Sequence, residues 1–157
     1  MKKIIGVFSI LAMLSGAVLI FGACATTQGV PSAQPMPEGI SFSGLWYSEQ
    51  FEHMYLYQDG DQVEGVYAYG GGGTITGEVN GNRLLFSWED PGNRDEVRRT
   101  MTGKGYLQIV EESDQFRLKG EWGYNQDRRG AGPWTAEFIR GIEDDDPATL
   151  EAIRRIH

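Results

Sequence analysis

Few residues in this chain of 157 could carry acid–base or nucleophilic chemistry. His53 lies beside the start of an alternating segment and His157 is the last residue, so the two histidines are far apart in sequence. Glu49 and Glu52 form one of the many carboxylate pairs that 22 acidic residues produce by chance. A catalytic site needs acid, base or nucleophile groups that converge. The sequence therefore predicts a non-enzymatic protein without catalytic residues.

Three other stretches could hold an ion. Gly70–Gly73 is glycine-rich, but no Lys-Ser or Lys-Thr follows it, so a hairpin loop is expected rather than a phosphate cradle. The acidic stretch 89–96 lacks the alternating register of a calcium loop, and weak cation binding is the alternative there. Asp144–Asp146 directly precedes a predicted helix. We expect no metal site and no cofactor.

The only cysteine, Cys24, follows a segment with the features of an export signal. Two lysines come first, apolar residues dominate from Ile4 to Phe21, and Gly22-Ala23 directly precedes the cysteine. This order resembles the bacterial lipoprotein signal, which implies cleavage before Cys24 and acylation of its thiol and new amino group. An uncleaved membrane helix and a plain secreted protein are the alternatives.

Cleavage at this point would divide the chain into a signal peptide, residues 1–23, and a lipid-anchored protein. Each buried CH₂ of an acyl chain contributes about 0.8 kcal/mol, so several chains on Cys24 hold a protein firmly to a membrane. By analogy with sorting in double-membraned bacteria, Ala25 after the cysteine predicts the outer membrane. Residues 24–40 contain several prolines and no apolar period, so we predict a flexible tether. A lipidated sole cysteine leaves no partner for a disulfide.

Composition limits the function further. The formal net charge of −8 argues against nucleic-acid binding, which needs clustered Lys and Arg. The chain has 22 glycines, about twice the usual share, together with 4 Trp, 7 Tyr and 7 Phe. Abundant glycine and aromatic residues without a collagen period favour an all-β protein with many turns.

Residues 41–140 contain eight short segments in which apolar and polar residues alternate, as in half-buried strands. Asp59-Gly60 and Asn80-Gly81 are strong hairpin signals between neighbouring segments. The apolar phase carries residues 42, 44, 46, 54, 56, 63, 65, 67, 69, 75, 77, 79, 84, 86, 88, 101, 103, 105, 107, 109, 116, 118, 120, 122, 124, 134, 136 and 138. We therefore predict an antiparallel eight-stranded up-and-down arrangement.

Glycines on the apolar phase favour a barrel over a flat sandwich. Val63-Gly65-Tyr67, Ile75-Gly77-Val79 and Leu118-Gly120-Trp122 each place glycine between large residues, where it permits sharp coiling and leaves room for an aromatic ring. The opposite phase carries charges such as Lys119. A barrel that spans a membrane would have apolar residues there, so this barrel is expected to lie in water.

Residues 141–157 are predicted to form an acidic linker and a short C-terminal helix. Acidic residues precede Pro147, and Leu150, Ile153 and Ile156 follow at helical spacing. One apolar stripe predicts packing, most simply against the barrel, with a protein partner as the alternative.

Three short motifs resemble the avidin and lipocalin (calycin) type of eight-stranded barrel: Gly44-Leu45-Trp46-Tyr47, Gly65-Val66-Tyr67 and Phe86-Ser87-Trp88. In avidins the corresponding Tyr of the third strand and Trp of the fifth contact biotin, and Tyr67 and Trp88 occupy those positions here. Ser48 stands where avidins have Asn. Residues 98–101, Arg-Arg-Thr-Met, replace the strand rich in Ser and Thr that binds the ureido group. The resemblance implies the barrel but not biotin binding.

The inward aromatic residues leave two hypotheses for function. If side chains fill the barrel, the protein has a structural or interaction role, through the C-terminal helix or an outer face that carries Leu45, Tyr47, Tyr55 and Tyr57. If the inward glycines leave space, the barrel holds one small apolar ligand, as lipocalins do. The predicted ligand-binding residues are then Trp46, Tyr67, Trp88 and Trp122.

Overall fold

The computed structural model describes residues 29–92 and 100–142, and these residues form a closed antiparallel barrel of eight strands. Each strand pairs with the next in sequence, and the last pairs with the first. The strands are β1 Gly44–Ser48, β2 Glu52–Asp59, β3 Gln62–Tyr67, β4 Gly73–Asn80, β5 Arg83–Asp90, β6 Met101–Glu112, β7 Gln115–Tyr124 and β8 Gly132–Arg140. The predicted up-and-down barrel is confirmed. The predicted signal peptide, Cys24 and the C-terminal helix lie outside the described residues.

The strand connections divide between two ends of the barrel. The upper end carries the connections β1–β2, β3–β4, β5–β6 and β7–β8, and a 3₁₀ turn at Tyr69–Gly71 lies in the second of these. The lower end carries the other three connections, of which two are the predicted hairpins. Gly60 and Gly81 adopt φ of 58° and 55° in these hairpins, the left-handed conformation that such tight turns require.

The interior is a single core built from the apolar phase of all eight strands. Its fully buried large side chains are Trp46, Trp134, Phe42, Phe86, Met54, Leu56, Ile75, Leu84, Leu107, Ile109, Leu118 and Val63. Three residues that were expected to point inward are about half exposed: Tyr69, Met101 and Tyr124. Tyr69 lies in the 3₁₀ turn, and the other two are the terminal residues of β6 and β7, beyond the packed layers.

Inward glycines let large rings and neighbouring strands approach closely, as the sequence predicted. A Cβ at Gly103 would lie 2.6 Å from the Trp88 ring. A Cβ at Gly120 would collide with the backbone carbonyl of Tyr106 on the adjacent strand β6. Because neither contact tolerates a side chain, these glycines are required by the coiling of the barrel.

Residues 29–40, which belong to the predicted tether, contact the barrel. The backbone of Gln34 exchanges hydrogen bonds with Asn82, and Met36 and Ile40 pack against the core. Proline-rich sequence without a period carries no signal for such contacts, since they are made by backbone groups whose partners lie far along the chain.

Candidate functional site

Tyr67, Trp88 and Trp122, three of the four predicted ligand-binding residues, lie together at the upper end of the barrel. Tyr67 ends β3, Trp88 is near the end of β5 and Trp122 is near the end of β7, so all three strands deliver aromatic rings to the same level. The centroids of Trp88 and Trp122 are 5.4 Å apart in an edge-to-face arrangement. We call these three rings, with Phe51 and Trp134, the upper aromatic cluster.

Trp46, the fourth predicted residue, lies elsewhere. It is fully buried, its indole N–H donates to the carbonyl of Phe42 at 2.9 Å, and its ring contacts Phe138 at 5.0 Å. Within the described residues, no ring contact joins Trp46 to the upper aromatic cluster. Trp46 and Phe42 are both fully buried in the core.

The centre of the upper aromatic cluster is Phe51, which the sequence reasoning missed. Its ring stacks on Trp134 with a centroid distance of 3.8 Å, and it meets the edges of Tyr67 and Trp122 at 5.8 and 5.7 Å. Phe51 belongs to no strand. It lies in the β1–β2 connection, where no alternation exists to reveal an inward side chain.

The backbone around Phe51 is held in a defined turn. The hydroxyl oxygen of Ser48 accepts hydrogen bonds from the N–H groups of Gln50 and Phe51 at 3.3 and 3.2 Å. The next residue, Glu52, has a φ of 60°, a left-handed conformation that costs a non-glycine residue of the order of 1 kcal/mol. Insertion of Phe51 into the barrel is therefore accompanied by local backbone strain.

Two indole N–H groups of the upper aromatic cluster have hydrogen-bond partners within the protein. The indole N–H of Trp88 donates to the carbonyl of Gly123 at 3.2 Å, and that of Trp134 donates to the sulfur of Met54 at 3.0 Å. Burial, and secondarily the negative charge of Asp90, raise the pKa of Tyr67 well above its usual range. Tyr67 is therefore a neutral phenol at physiological pH, and it is not suited to act as a base.

The remaining chemical candidates are separate from this cluster. His53 is exposed on the outer wall, where its ring meets Tyr47 edge-on at 5.2 Å. Among residues 29–92 and 100–142, no three His, Cys, Asp or Glu side chains lie close enough together to hold a metal ion. In the same part of the chain, no helix is long and apolar enough to cross a membrane.

The outer wall of β1 and β2 carries the tyrosines that the sequence assigned to a partner surface. Tyr47 and Tyr57 are 41% and 47% exposed, and Tyr55 is half-buried between them. We call these three residues the tyrosine face. Leu45, predicted to belong to the same surface, faces outward beside Tyr55 but is only 8% exposed, so it contributes little to this face.

Charge is distributed unequally between the two halves of the barrel. Residues 29–82, which include β1–β4, contain seven acidic residues and neither Lys nor Arg. Every Lys and Arg in the described part of the chain lies on or between β5 and β8. The cross-strand partner of Tyr57 is Glu64, so the tyrosine face lies within the acidic half.

Some bases on the other half form ion pairs with acids. Arg117 pairs with Glu137 at 2.8 Å and Arg129 pairs with Glu121 at 2.7 Å. The hydrogen bond from the Arg129 guanidinium lowers the pKa of Glu121. Burial, and next the charge of Glu121, raise the pKa of the neighbouring Tyr106.

A recess of about 350 Å³ lies on the outer wall over β4–β6 rather than in the interior. Its polar lining includes Thr76, Ser87, Thr102, Lys104, Asn125 and Gln126, and Trp88, one of the predicted ligand-binding residues, also lines it. It opens to solvent, and its chemistry differs from the apolar binding site that the sequence predicted inside the barrel.

No known protein family, no curated protein and no solved structure matches this chain.

Proposed function

We propose that this chain is a lipid-anchored protein of the bacterial cell envelope that acts without catalysis, through protein contacts made by its barrel. The lipid is attached to Cys24, and the membrane is the outer membrane. The observation that carries the interaction role is the tyrosine face: tyrosines exposed on neighbouring strands of a barrel half that has no Lys or Arg. Aromatic residues in such patches are enriched at protein interfaces.

Charge complementarity specifies the partner. Residues 29–82 contain seven carboxylates and no base, and one of these carboxylates, Glu64, lies directly across from Tyr57. A partner surface rich in Lys and Arg would gain from this field both in encounter rate and in specificity. The proposed partner is therefore a basic protein surface.

The packed interior supports an interaction role over a carrier role. Phe42 is fully buried, Phe51 stacks on Trp134 at the upper end, and twelve large side chains are fully buried in the same interior. A barrel of eight strands is just wide enough for side chains to fill it. The outer wall is then the surface left for recognition.

The lipid anchor is tested by Cys24→Ser. We expect the variant to leave the membrane fraction and to lose the mass of its acyl chains, because no other attachment is proposed. A variant that partitions into detergent as the parent protein does would overturn the anchor.

The interaction is tested by a photo-cross-linking residue placed at Tyr57, with Lys119 on the opposite half as the matched exposed position. We expect adducts from position 57 only, with a yield that falls at high salt and in a Glu64→Gln background. Equal yields from both positions, or a yield that neither salt nor Glu64→Gln changes, would overturn the proposed surface.

One observation favours a second candidate function, a lipocalin-like carrier of a small apolar ligand. Phe51 occupies an aromatic box through a strained turn at Glu52, so a planar ligand that displaced it would relieve that strain. The resemblance to avidin and lipocalin barrels agrees with this candidate. It predicts saturable quenching of tryptophan emission by an apolar aromatic probe, with tighter binding in Phe51→Ala. No saturable quenching in either protein would exclude it.

A further inference from the structure

The segment Gly29–Gln34, which we call the N-terminal strap, is fastened to the barrel at Asn82. The Asn82 side-chain oxygen accepts from the Gln34 N–H at 2.9 Å, and the Asn82 backbone N–H donates to the Gln34 carbonyl at 2.8 Å. Asn82 is 5% exposed, and its side-chain amide also donates to the carbonyl of Ile109 at 2.9 Å. The fastening point is thus part of the rigid β4–β5 turn.

Three further donors hold the N-terminal strap to one side of the barrel. Arg83 on β5 donates to the carbonyl of Pro31 at 2.8 Å, and Gln108 on β6 donates to that of Ser32 at 3.0 Å. Arg129, in the β7–β8 connection, donates to the carbonyl of Gly29 at 3.3 Å. The strap therefore runs along the outer wall of β5–β7 and ends beside Arg129.

The length of chain between the strap and the lipid is short. Cys24 lies five residues before Gly29, and an extended chain spans at most about 3.5 Å per residue, so the two are at most about 17 Å apart. A lipid on Cys24 must therefore hold Gly29, and with it the wall of β5–β7, near the membrane surface.

The charge distribution favours the same orientation. The half of the barrel that lies away from the strap, residues 44–80, carries six acids and no base. Lys104 and Arg128 on the strap side form no ion pair within the described residues. The strap-side half carries seven bases against eight acids in residues 83–92 and 100–142, so an anionic lipid surface repels this half far less than the first.

We infer that the N-terminal strap fixes the orientation of the barrel, with the outer wall of β5–β7 against an anionic phospholipid surface and the tyrosine face directed away from it. This inference depends on the proposed acylation of Cys24. In this orientation, a partner of the tyrosine face must approach from the aqueous side of the membrane.

The test compares two fluorophores on vesicles of phosphatidylethanolamine and phosphatidylglycerol that carry a nitroxide headgroup quencher. Acylated Cys24 has no free thiol, so Ser87→Cys on β5 and Tyr57→Cys on β2 can each be labelled singly in the full acylated protein. Both positions are exposed on the outer wall. We expect at least about twofold stronger quenching at position 87. Equal quenching, or stronger quenching at position 57, overturns the orientation.

Two variants test whether the strap is the cause of this orientation. A flexible insertion of about ten residues before Gly29 lengthens the connection several-fold in contour, and Arg83→Ala with Gln108→Ala removes two strap donors. Circular dichroism verifies folding in each case. We expect both variants to stay on vesicles and to lose most of the difference between positions 87 and 57. A difference that persists in both variants overturns the role of the strap.

The outcomes also separate this inference from the proposed function. If Cys24 carries no acyl chains in cells, the proposed function fails, and the orientation fails with it. If the acylated protein binds vesicles but the two positions are quenched equally, only the orientation fails.

Discussion

The two halves of the barrel wall enclose one interior but present different outer surfaces. Strands β1–β4 carry exposed tyrosines and acids without a base, whereas β5–β8 carry the described bases, three ion pairs and the N-terminal strap. Inside, the same strands contribute to one core without a division. The inward residues therefore determine the fold, and the outer wall is where the two halves can differ in function.

Trp88→Ala would disrupt the shared interior most strongly. The indole of Trp88 contacts Trp122 and Tyr124 and donates to Gly123, so its removal leaves a cavity and an unpaired carbonyl. Truncation of a large aromatic residue in a core costs about 3–5 kcal/mol. Urea unfolding measures this loss. If the free energy of unfolding changed by less than about 1 kcal/mol and the variant bound a ligand-sized probe, the upper end would be a binding site rather than a core.

Gly120→Val and Lys119→Val compare the effect of a substitution on the inner and on the outer surface of β7. A Cβ at Gly120 would meet the Tyr106 carbonyl on β6, so overpacking should cost about 1–3 kcal/mol. Lys119→Val, the neighbouring outward residue, should change the free energy of unfolding by less than about 1 kcal/mol, since exposed ion pairs contribute little. Similar losses in the two variants would contradict the assignment of inner and outer phases.

Asn82→Ala tests the attachment of the strap to the β4–β5 turn. The substitution leaves the Ile109 carbonyl and the Gln34 N–H without their partner, which should cost about 1–2 kcal/mol. Hydrogen–deuterium exchange should become faster at Gln34 and remain slow at Leu56 in the core. Unchanged exchange at Gln34 would show that the strap is held in another way.

The smallest predicted effect concerns pH. The hydrogen bond from Arg129 lowers the pKa of Glu121 in the folded protein, so its stabilising contribution is fully present above the unfolded value of about 4.3. It is lost as the pH falls through the lower folded value. Thermal unfolding between pH 3 and pH 6 should therefore show a smaller decline in Tm for Glu121→Gln than for the parent. An equal decline would mean that this pair does not contribute.

The sequence predicted the barrel because its evidence is local and repeated. Alternation, hairpin dipeptides and glycines such as Gly120 on the apolar phase each depend on a few neighbouring residues. Phe51 and the strap residue Gln34 escaped prediction because their partners, Trp134 and Asn82, lie far along the chain. Three of the predicted site residues converge, yet the sequence could not reveal that a fourth ring from a turn lies among them.

Native mass spectrometry of the protein extracted from its own membrane tests directly whether recognition occurs on the outer wall of a filled barrel. We expect an acylated chain in complex with a basic protein, with no small molecule retained, and loss of that complex when Tyr57 is replaced by Ala and Glu64 by Gln. An acylated chain that instead carries one small apolar molecule, released on unfolding and unaffected by those two substitutions, would contradict the account.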